Sequence, residues 1–185
     1  MQIISGKFRG KKLAPLSNQT TRSTTNRVRE NVFNLVGVKV KGGIVLDLFA
    51  GSGAFSCECL SRGAKHVIIN DVDKVALEIV KQNTKGLGNN LEIFNLDYMQ
   101  LLENLKSQIK EGKREKFSLV FLDPPYDSNF GEIAIDYITN FDMLDKGAIV
   151  MLECENNPNL NIDIFNIKYK KYGRTNVYIL EYKGK

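Results

Sequence analysis

An aspartate, two prolines and a tyrosine stand together at residues 123–126, directly after the apolar run from Phe117 to Leu122. Proline cannot extend a hydrogen-bonded ladder, and it pushes the residue before it into an extended conformation. The arrangement offers a carboxylate, a rigid backbone carbonyl and an aromatic ring at the end of a buried strand. An aromatic exocyclic amine is a poor nucleophile because its lone pair is delocalised into the ring. Asp123 and a carbonyl fixed by Pro124 and Pro125 can accept its two N–H bonds, favour a pyramidal nitrogen and aim the lone pair at an electrophilic methyl. Tyr126 can stack on the base plane and hold a flipped or unpaired nucleotide. Standing alone, the same residues make an ordinary Asp-Pro-Pro turn.

A second constellation precedes it. The stretch "VLDLFAGSGAFSCECL" reads as a strand, a turn through Phe49, Ala50, Gly51, Ser52 and Gly53, and a helix. Glycines in such a turn let the backbone approach a ligand lying over the helix N-terminus. The third glycine of a dinucleotide fingerprint is missing, its place taken by Ser56, and Asp47 at the strand end would repel a pyrophosphate. An acid there suits a cationic ammonium, as at the methionyl end of S-adenosylmethionine, which carries no phosphate. Asp71, after the second strand, can accept from both ribose hydroxyls. Asp97, after the third, can accept from an adenine amine, with Val72, Leu96 or Tyr98 against the ring. Each aspartate has a plainer role open to it as a helix N-cap, and Asp73 is expected to cap the following helix. Three acids after three successive strands, following Gly-x-Gly, make the stronger pattern.

These residues need a scaffold that brings strand ends together. From Gly43 onward, strands are expected at Ile44–Leu48, Val67–Asn70, Leu91–Asn95, Phe117–Leu122 and Ala148–Glu153. Helical spacing lies between them at Ala54–Arg62, Lys74–Lys85, Met99–Gln108 and Gly131–Asn140. Such alternation predicts a doubly wound α/β sheet, mostly parallel, with functional groups beyond the carboxyl ends of its strands. Two β-rich runs flanking Tyr172-Gly173-Arg174 predict an antiparallel hairpin that closes a seven-stranded sheet. Before Gly43, a short hairpin bent at Gly6–Gly10 and a helix from about Thr25 to Val36, capped by Thr24 or Thr25, are expected. The charged stretch "ENLKSQIKEGKREK" reads as a helix end and a solvated surface loop. No linker or repeat appears, so residues 1–185 are read as one domain: a basic extension, 1–42, on a catalytic core, 43–185.

Charge is distributed unevenly. Residues 1–42 hold nine Lys and Arg against Glu30 alone, and residues 168–185 hold six against Glu181, while the middle is net acidic within an overall +5. Basic ends on an acidic body predict a polyanion-binding face, with Arg9, Lys11, Arg22, Thr25, Arg27, Arg29 and Arg174 as candidate contacts. No apolar run approaches the roughly 20 residues of a membrane span, and no apolar signal-peptide core opens the chain, which predicts a cytoplasmic protein. Cys57, Cys59, Cys154 and the single His66 lack metal-ligand spacing, so packing roles and no metal are expected.

"DLFAGSG" followed by "DPPY" resembles the class I S-adenosylmethionine-dependent methyltransferases that modify exocyclic amines. The additional stretches "ISGKFRGKKL" and "TRSTTNRVRENVFN" resemble the bacterial 16S rRNA guanine-N2 methyltransferases, the RsmD-like family, over nearly the whole chain. The resemblance implies a Rossmann-like fold, methylation of a guanine N2 in small-subunit rRNA, and the small ribosomal subunit or a late precursor as substrate, while nothing in the sequence requires more than a monomer. It makes Asp47, Gly51 and Gly53 the cofactor loop, Asp71 the ribose ligand and Asp123–Tyr126 the catalytic motif, with Thr25–Arg29 near the substrate cleft. Ser23, Asn26 and Asp97 depart from the family's frequent proline, aspartate and asparagine at those positions. A DNA amino-methyltransferase shares the Asp-Pro-Pro-Tyr chemistry, but 185 residues leave no room for a duplex-reading region. Protein glutamine methyltransferases typically carry asparagine in place of Asp123. A non-catalytic RNA-binding assembly factor would have no use for the intact motif.

Overall fold

Runs of β-branched and aliphatic residues bounded by glycines and acids form the strands, and amphipathic segments between them form the helices. The computed structural model describes residues 1–16, 26–125, 128–173 and 175–184, and the side chains of the first helix from Val28 onward. In chain order the elements are α1 (Asn26–Val36), a 3-10 turn (Gly37–Lys39), β1 (Ile44–Asp47), α2 (Ala54–Ser61), β2 (His66–Asn70), α3 (Lys74–Thr84) and β3 (Leu91–Phe94). There follow α4 (Tyr98–Lys110), β4 (Phe117–Leu122), α5 (Phe130–Asn140), β5 (Leu144–Cys154), β6 (Phe165–Tyr172) and β7 (Thr175–Tyr182). Each predicted strand and helix of the core is present, with ends shifted by a few residues. The start of α1 is Asn26; its expected caps, Thr24 and Thr25, lie outside the described residues.

The seven strands form one sheet in the order β3-β2-β1-β4-β5-β7-β6. Strands β1 to β5 pair in parallel, and β7 pairs antiparallel with both β5 and β6. Strand order reverses between β1 and β4, which opens a crevice at their carboxyl ends, the ligand position in open α/β sheets.

Alternation along the strands divides the interior into two layers. Val45, Val67, Ile69, Leu119, Phe121, Ile149, Met151, Val177 and Ile179 face α1, α2 and α3; Phe33, Phe55 and Phe121 meet there, the last two stacked at 4.6 Å. Leu46, Ile68, Val120, Leu122, Val150, Leu152 and Leu180 face α4 and α5 on the other side. Fully burying each such side chain stabilises the fold by about 1.5–3 kcal/mol. Cys57 and Cys59 are buried in the first layer, where loss of solvation pushes the Cys57 thiol up to about 12. Among the described residues no helix is long and apolar enough to cross a membrane.

The N-terminal segment forms the expected short hairpin: Ile3 N donates to the Lys11 carbonyl (3.0 Å), Gly10 N to the Ile3 carbonyl (2.9 Å) and Leu13 N to the Met1 carbonyl (3.0 Å), with an antiparallel bridge between Gln2 and Lys12. Its remaining donors are engaged by α2: Glu58 accepts from Ile4 N (2.8 Å) and Ser5 N (2.9 Å), and Ser61 accepts from Lys7 N and Phe8 N. Ile3 and Leu13 pack in the first core layer, so this basic segment is bound to the body. One expectation is corrected: the loop after α4 is not wholly solvated, because Arg114 reaches Gln108 and Glu92, both at 2.8 Å.

Candidate active site

The turn after β1 has the backbone for which its glycines are suited. Gly51 and Gly53 both have left-handed backbones (φ 54° and 72°), and Gly53 caps α2. A side chain at Gly53 would stand 3.2 Å from Val80 Cγ2, so the turn lies tight against α3. Asn83 on α3, 2% exposed, donates to the Ser52 carbonyl (2.9 Å) and exchanges hydrogen bonds with the Ala14 backbone (2.8 and 3.0 Å). The N-terminal segment is thereby tied to this turn.

Behind the turn, Asp47 is 3% exposed and accepts from the Ser56 hydroxyl at 2.6 Å. Ser56 therefore has a purpose where a dinucleotide fingerprint has glycine: it solvates the buried carboxylate. Burial nevertheless pushes the Asp47 carboxyl up to about 7, with Asp71 adding repulsion against the Ser56 bond. Asp71 accepts from Gly51 N (2.7 Å) and Asp73 N (2.9 Å). Its pKa is also raised, by burial first, although these two bonds oppose the shift. Asn70 fastens the strand ends, donating to the carbonyls of Leu48 and Leu96 at 3.1 Å, while Asn95 holds the carbonyls of Asp71 and Val72 at 2.9 Å.

Asp123 follows β4 in the same crevice. Its pKa is raised well above the usual carboxylate range, by burial and then by Glu153, Asp47 and Asp71. The register explains the convergence. Asp47 and Glu153 have the parity of the residues facing α1–α3, and Asp123 continues that parity past Phe121. The result is a crevice of mutually repelling carboxylates that a cation would relieve. An aromatic row borders it: Phe49 lies 5.4 Å from Tyr98, and Tyr98 stacks on Phe130 at 4.9 Å. Val72 is 71% exposed beside Asp71, an apolar surface left open.

The chain matches, over residues 1–181, the family described as conserved hypothetical protein 95. It belongs to that family, the RsmD-like methyltransferases. It is 34% identical over 158 residues to ribosomal RNA small subunit methyltransferase D of Haemophilus influenzae, covering 84% of this chain and 79% of that one. The YlbH protein of Bacillus subtilis is 34% identical over 190 residues, all of both chains. The solved structure of yhhF from Escherichia coli superposes with a TM-score of 0.84 at 28% identity, covering 100% of this chain and 99% of that one. The sheet order and these likenesses make the fold that of a class I methyltransferase.

The RsmD-like chain thus brings Asp47, Phe49, Ala50, Gly51, Ser52, Gly53, Asp71, Val72 and Tyr98 to one side of the crevice and Asp123, Pro124 and Pro125 to the other. Their donor set fits S-adenosylmethionine: acids for its cationic end and ribose, aromatic and apolar surface for its adenine, and no cradle of basic groups for phosphate. Asp97 takes its plainer role, accepting from Met99 N at 2.9 Å as the cap of α4, and Asp73 caps α3 as expected, accepting from Val75 N at 2.8 Å. Tyr126, Arg22, Thr25 and Arg174, and the side chain of Arg27, lie outside the described residues.

Arg29 is a correction. Its side chain is fully buried and donates to the Gln2 carbonyl, with burial lowering its pKa and Glu58 opposing that shift. It anchors the N-terminal segment and presents no guanidinium to a phosphate. Arg9 is exposed, and Lys11 donates to the Lys85 carbonyl at the surface.

Phe130, Asn70, Asn83 and Glu153 were missed. Glu153 had a readable signal, since it is one more acid at the end of a parallel strand, in "AIVMLECE". Phe130 had none, because its meeting with Tyr98 joins residues 32 positions apart through the packing of α5 on α4.

Proposed function

We propose that this protein methylates the exocyclic N2 amine of a guanine in 16S rRNA, with S-adenosylmethionine as donor, in the cytoplasm and as a monomer. The observation that carries the reading is Asp123, held between two prolines and its fellow carboxylates at the switch point of a methyltransferase sheet. Similarity to the ribosomal RNA small subunit methyltransferase D of Haemophilus influenzae supports the rRNA substrate. In this reading residues 43–185 form the catalytic core. Residues 1–42 form an RNA-binding extension, to which Arg9, Lys11, Arg22, Thr25 and Arg27 contribute, with Arg174 from the terminal hairpin.

Bound in the crevice, S-adenosylmethionine supplies an electrophilic methyl on a sulfonium. Asp47 receives its ammonium, Asp71 its ribose hydroxyls, and Phe49, Val72 and Tyr98 its adenine, while the Gly51–Gly53 turn allows the approach; Asp97 can also border the adenine while it caps α4. With a cation held beside them, Asp47, Asp71 and Asp123 would repel one another less, and Asp123 would meet the substrate ionised. The amine donates one hydrogen to Asp123 and one to a backbone carbonyl of the Pro124–Pro125 segment, and Tyr126 stacks on the base. The two acceptors stabilise the charge that grows on nitrogen, which is worth about 3–4 kcal/mol for one such contact. The proton released after alkylation has Asp123 within reach.

Undermethylated small ribosomal subunits, free 16S rRNA and duplex DNA would each be incubated with labelled S-adenosylmethionine, with Asp123→Ala in parallel. N2-methylguanine in rRNA, lost by about a hundredfold or more in the variant while cofactor binding persists, is the expected result. Label in DNA alone would make the protein a DNA amino-methyltransferase, and bound cofactor with no label anywhere would leave an assembly factor.

A further inference from the structure

Beside the crevice, on the same face of the sheet, α1 and the edge strand β6 enclose a concavity of about 350 Å3. Its floor is apolar, from Val32 on α1 and Val177 and Ile179 on β7. Its walls are α1, polar at Asn31 and Asn34 and apolar at the exposed Leu35, and the β6 side chains that pair with the floor: Lys170 opposite Val177 and Lys168 opposite Ile179. Tyr172 closes the end nearest the crevice, with the Lys170 ammonium 5.5 Å from its ring. The nearest acid on this face of β7, Glu181, lies at the far end, opposite Asn166.

The register joins this groove to Asp123. Glu153 pairs with Val177 and Val177 with Lys170, and Leu122, the residue before Asp123, pairs with Leu152, the one before Glu153. Lys170 is therefore level with Asp123 and three strands away, about 14 Å at the usual inter-strand spacing. A single-stranded nucleic acid crosses such a gap in a few nucleotides.

We propose that the groove between α1 and β6 holds the single-stranded RNA segment flanking the target base, with Lys168 and Lys170 on successive phosphates and Tyr172 stacked against a base. The inference rests on the reading of the crevice as an RNA methyltransferase site and names the face that grips the substrate. Charge selects the occupant: a basic, aromatic wall over an apolar floor is the composition of a single-strand platform. Asn31 and Asn34 can donate to ribose or base edges, the contacts by which unpaired RNA is read.

The test is titration of a fluorescein-labelled single-stranded RNA of roughly a dozen nucleotides against the whole protein at several salt concentrations. Lys168→Ala/Lys170→Ala should weaken binding about tenfold or more and reduce the slope of log affinity against log salt by about 1.4. Tyr172→Ala should weaken it about fivefold or more with the salt slope retained. Both lysines are exposed on an edge strand, so circular dichroism and cofactor binding should match the wild type. An unchanged affinity and slope in the double variant, or no binding of the probe by the wild type, would overturn the assignment. So would photocrosslinking of this strand, within undermethylated small subunits, to a ribosomal protein and not to RNA. Wild-type kcat/KM for rRNA in the double variant would sink the groove and leave methylation standing. Groove-dependent binding with no methyl transfer to any RNA would sink the methylation reading and leave the groove.

Discussion

Asp47 offers the sharpest quantitative test of the crevice. Its carboxyl is pushed up to about 7, against an ordinary value near 4 in an unfolded chain. The folded state therefore binds the extra proton between those values, so folding stability contributed by this group falls as pH rises from about 4 and levels off above about 7. Three units at 1.36 kcal/mol each give a penalty of about 4 kcal/mol above the upper value, of which roughly 2–3 develops between pH 5 and pH 8. Asp47→Asn keeps the shape and still accepts from Ser56, yet it cannot ionise. Denaturant unfolding of both proteins across that range should show the variant gaining about 2–3 kcal/mol on the wild type as pH rises, or some 5–10 °C in Tm for a chain of this size. Saturating S-adenosylmethionine should close the gap, because its ammonium stabilises the ionised carboxylate, and it should bind the variant far more weakly. Parallel stability curves for the two proteins from pH 5 to pH 8 would refute the account of a carboxylate held in reserve for a cation.

Glu58→Ala removes the acceptor for Ile4 N, Ser5 N and Arg62 Nε. It should cost about 3–5 kcal/mol, with limited proteolysis cutting first within residues 1–13. Asn83→Ala breaks the bridge between Ala14 and Ser52; calorimetry should find weaker cofactor binding, and kinetics a raised KM for the cofactor with kcat largely kept. Gly53→Ala forces a left-handed backbone on alanine and crowds Val80. It should destabilise the fold by about 1–2 kcal/mol and reduce cofactor affinity together with Tm.

The core was legible because its signals are local. "IVLD" and "FSLVFL" are apolar runs ended by an acid, and the segments between them carry helical periodicity, so the alternation implied a doubly wound sheet. The Gly51–Gly53 turn and Asp123-Pro124-Pro125 were legible for the same reason, since unusual backbone demands unusual residues. What stayed hidden depends on partners distant in sequence. Arg29 looks like a phosphate ligand among the arginines of a basic segment, and only the approach of Gln2 and Glu58 shows that it is buried. Glycines near residues 6 and 10 marked the hairpin, but nothing local showed that Ile4 N and Ser5 N donate to the carboxylate of Glu58, more than 50 residues away. Asp97 could be a ligand or a cap from its position after β3, and the free Met99 N–H at the start of α4 decides for the cap.

The same parity that buries the hydrophobic core determines the chemistry of the crevice. Because side chains alternate across a strand, the residues of β1 and β5 that follow Val45 and Met151 by two positions must face α1–α3, and past Phe121 at the end of β4 the next in that series is Asp123. Those residues are Asp47, Glu153 and Asp123, so three acids converge where apolar side chains would pack more stably. A fold selected only for stability would not keep them, since burial with Glu153 and Asp47 raises the pKa of Asp123, and among the described residues no ion pair is seen to Asp47 or Asp123. On the same face, three strands further along, the parity of β6 presents Lys168, Lys170 and Tyr172. One face of one sheet thus offers negative charge at its centre and positive charge at its edge. That division matches a reaction in which a cationic methyl donor sits at the switch point and a polyanionic substrate lies across the edge strand, with Asp123 at the boundary between them.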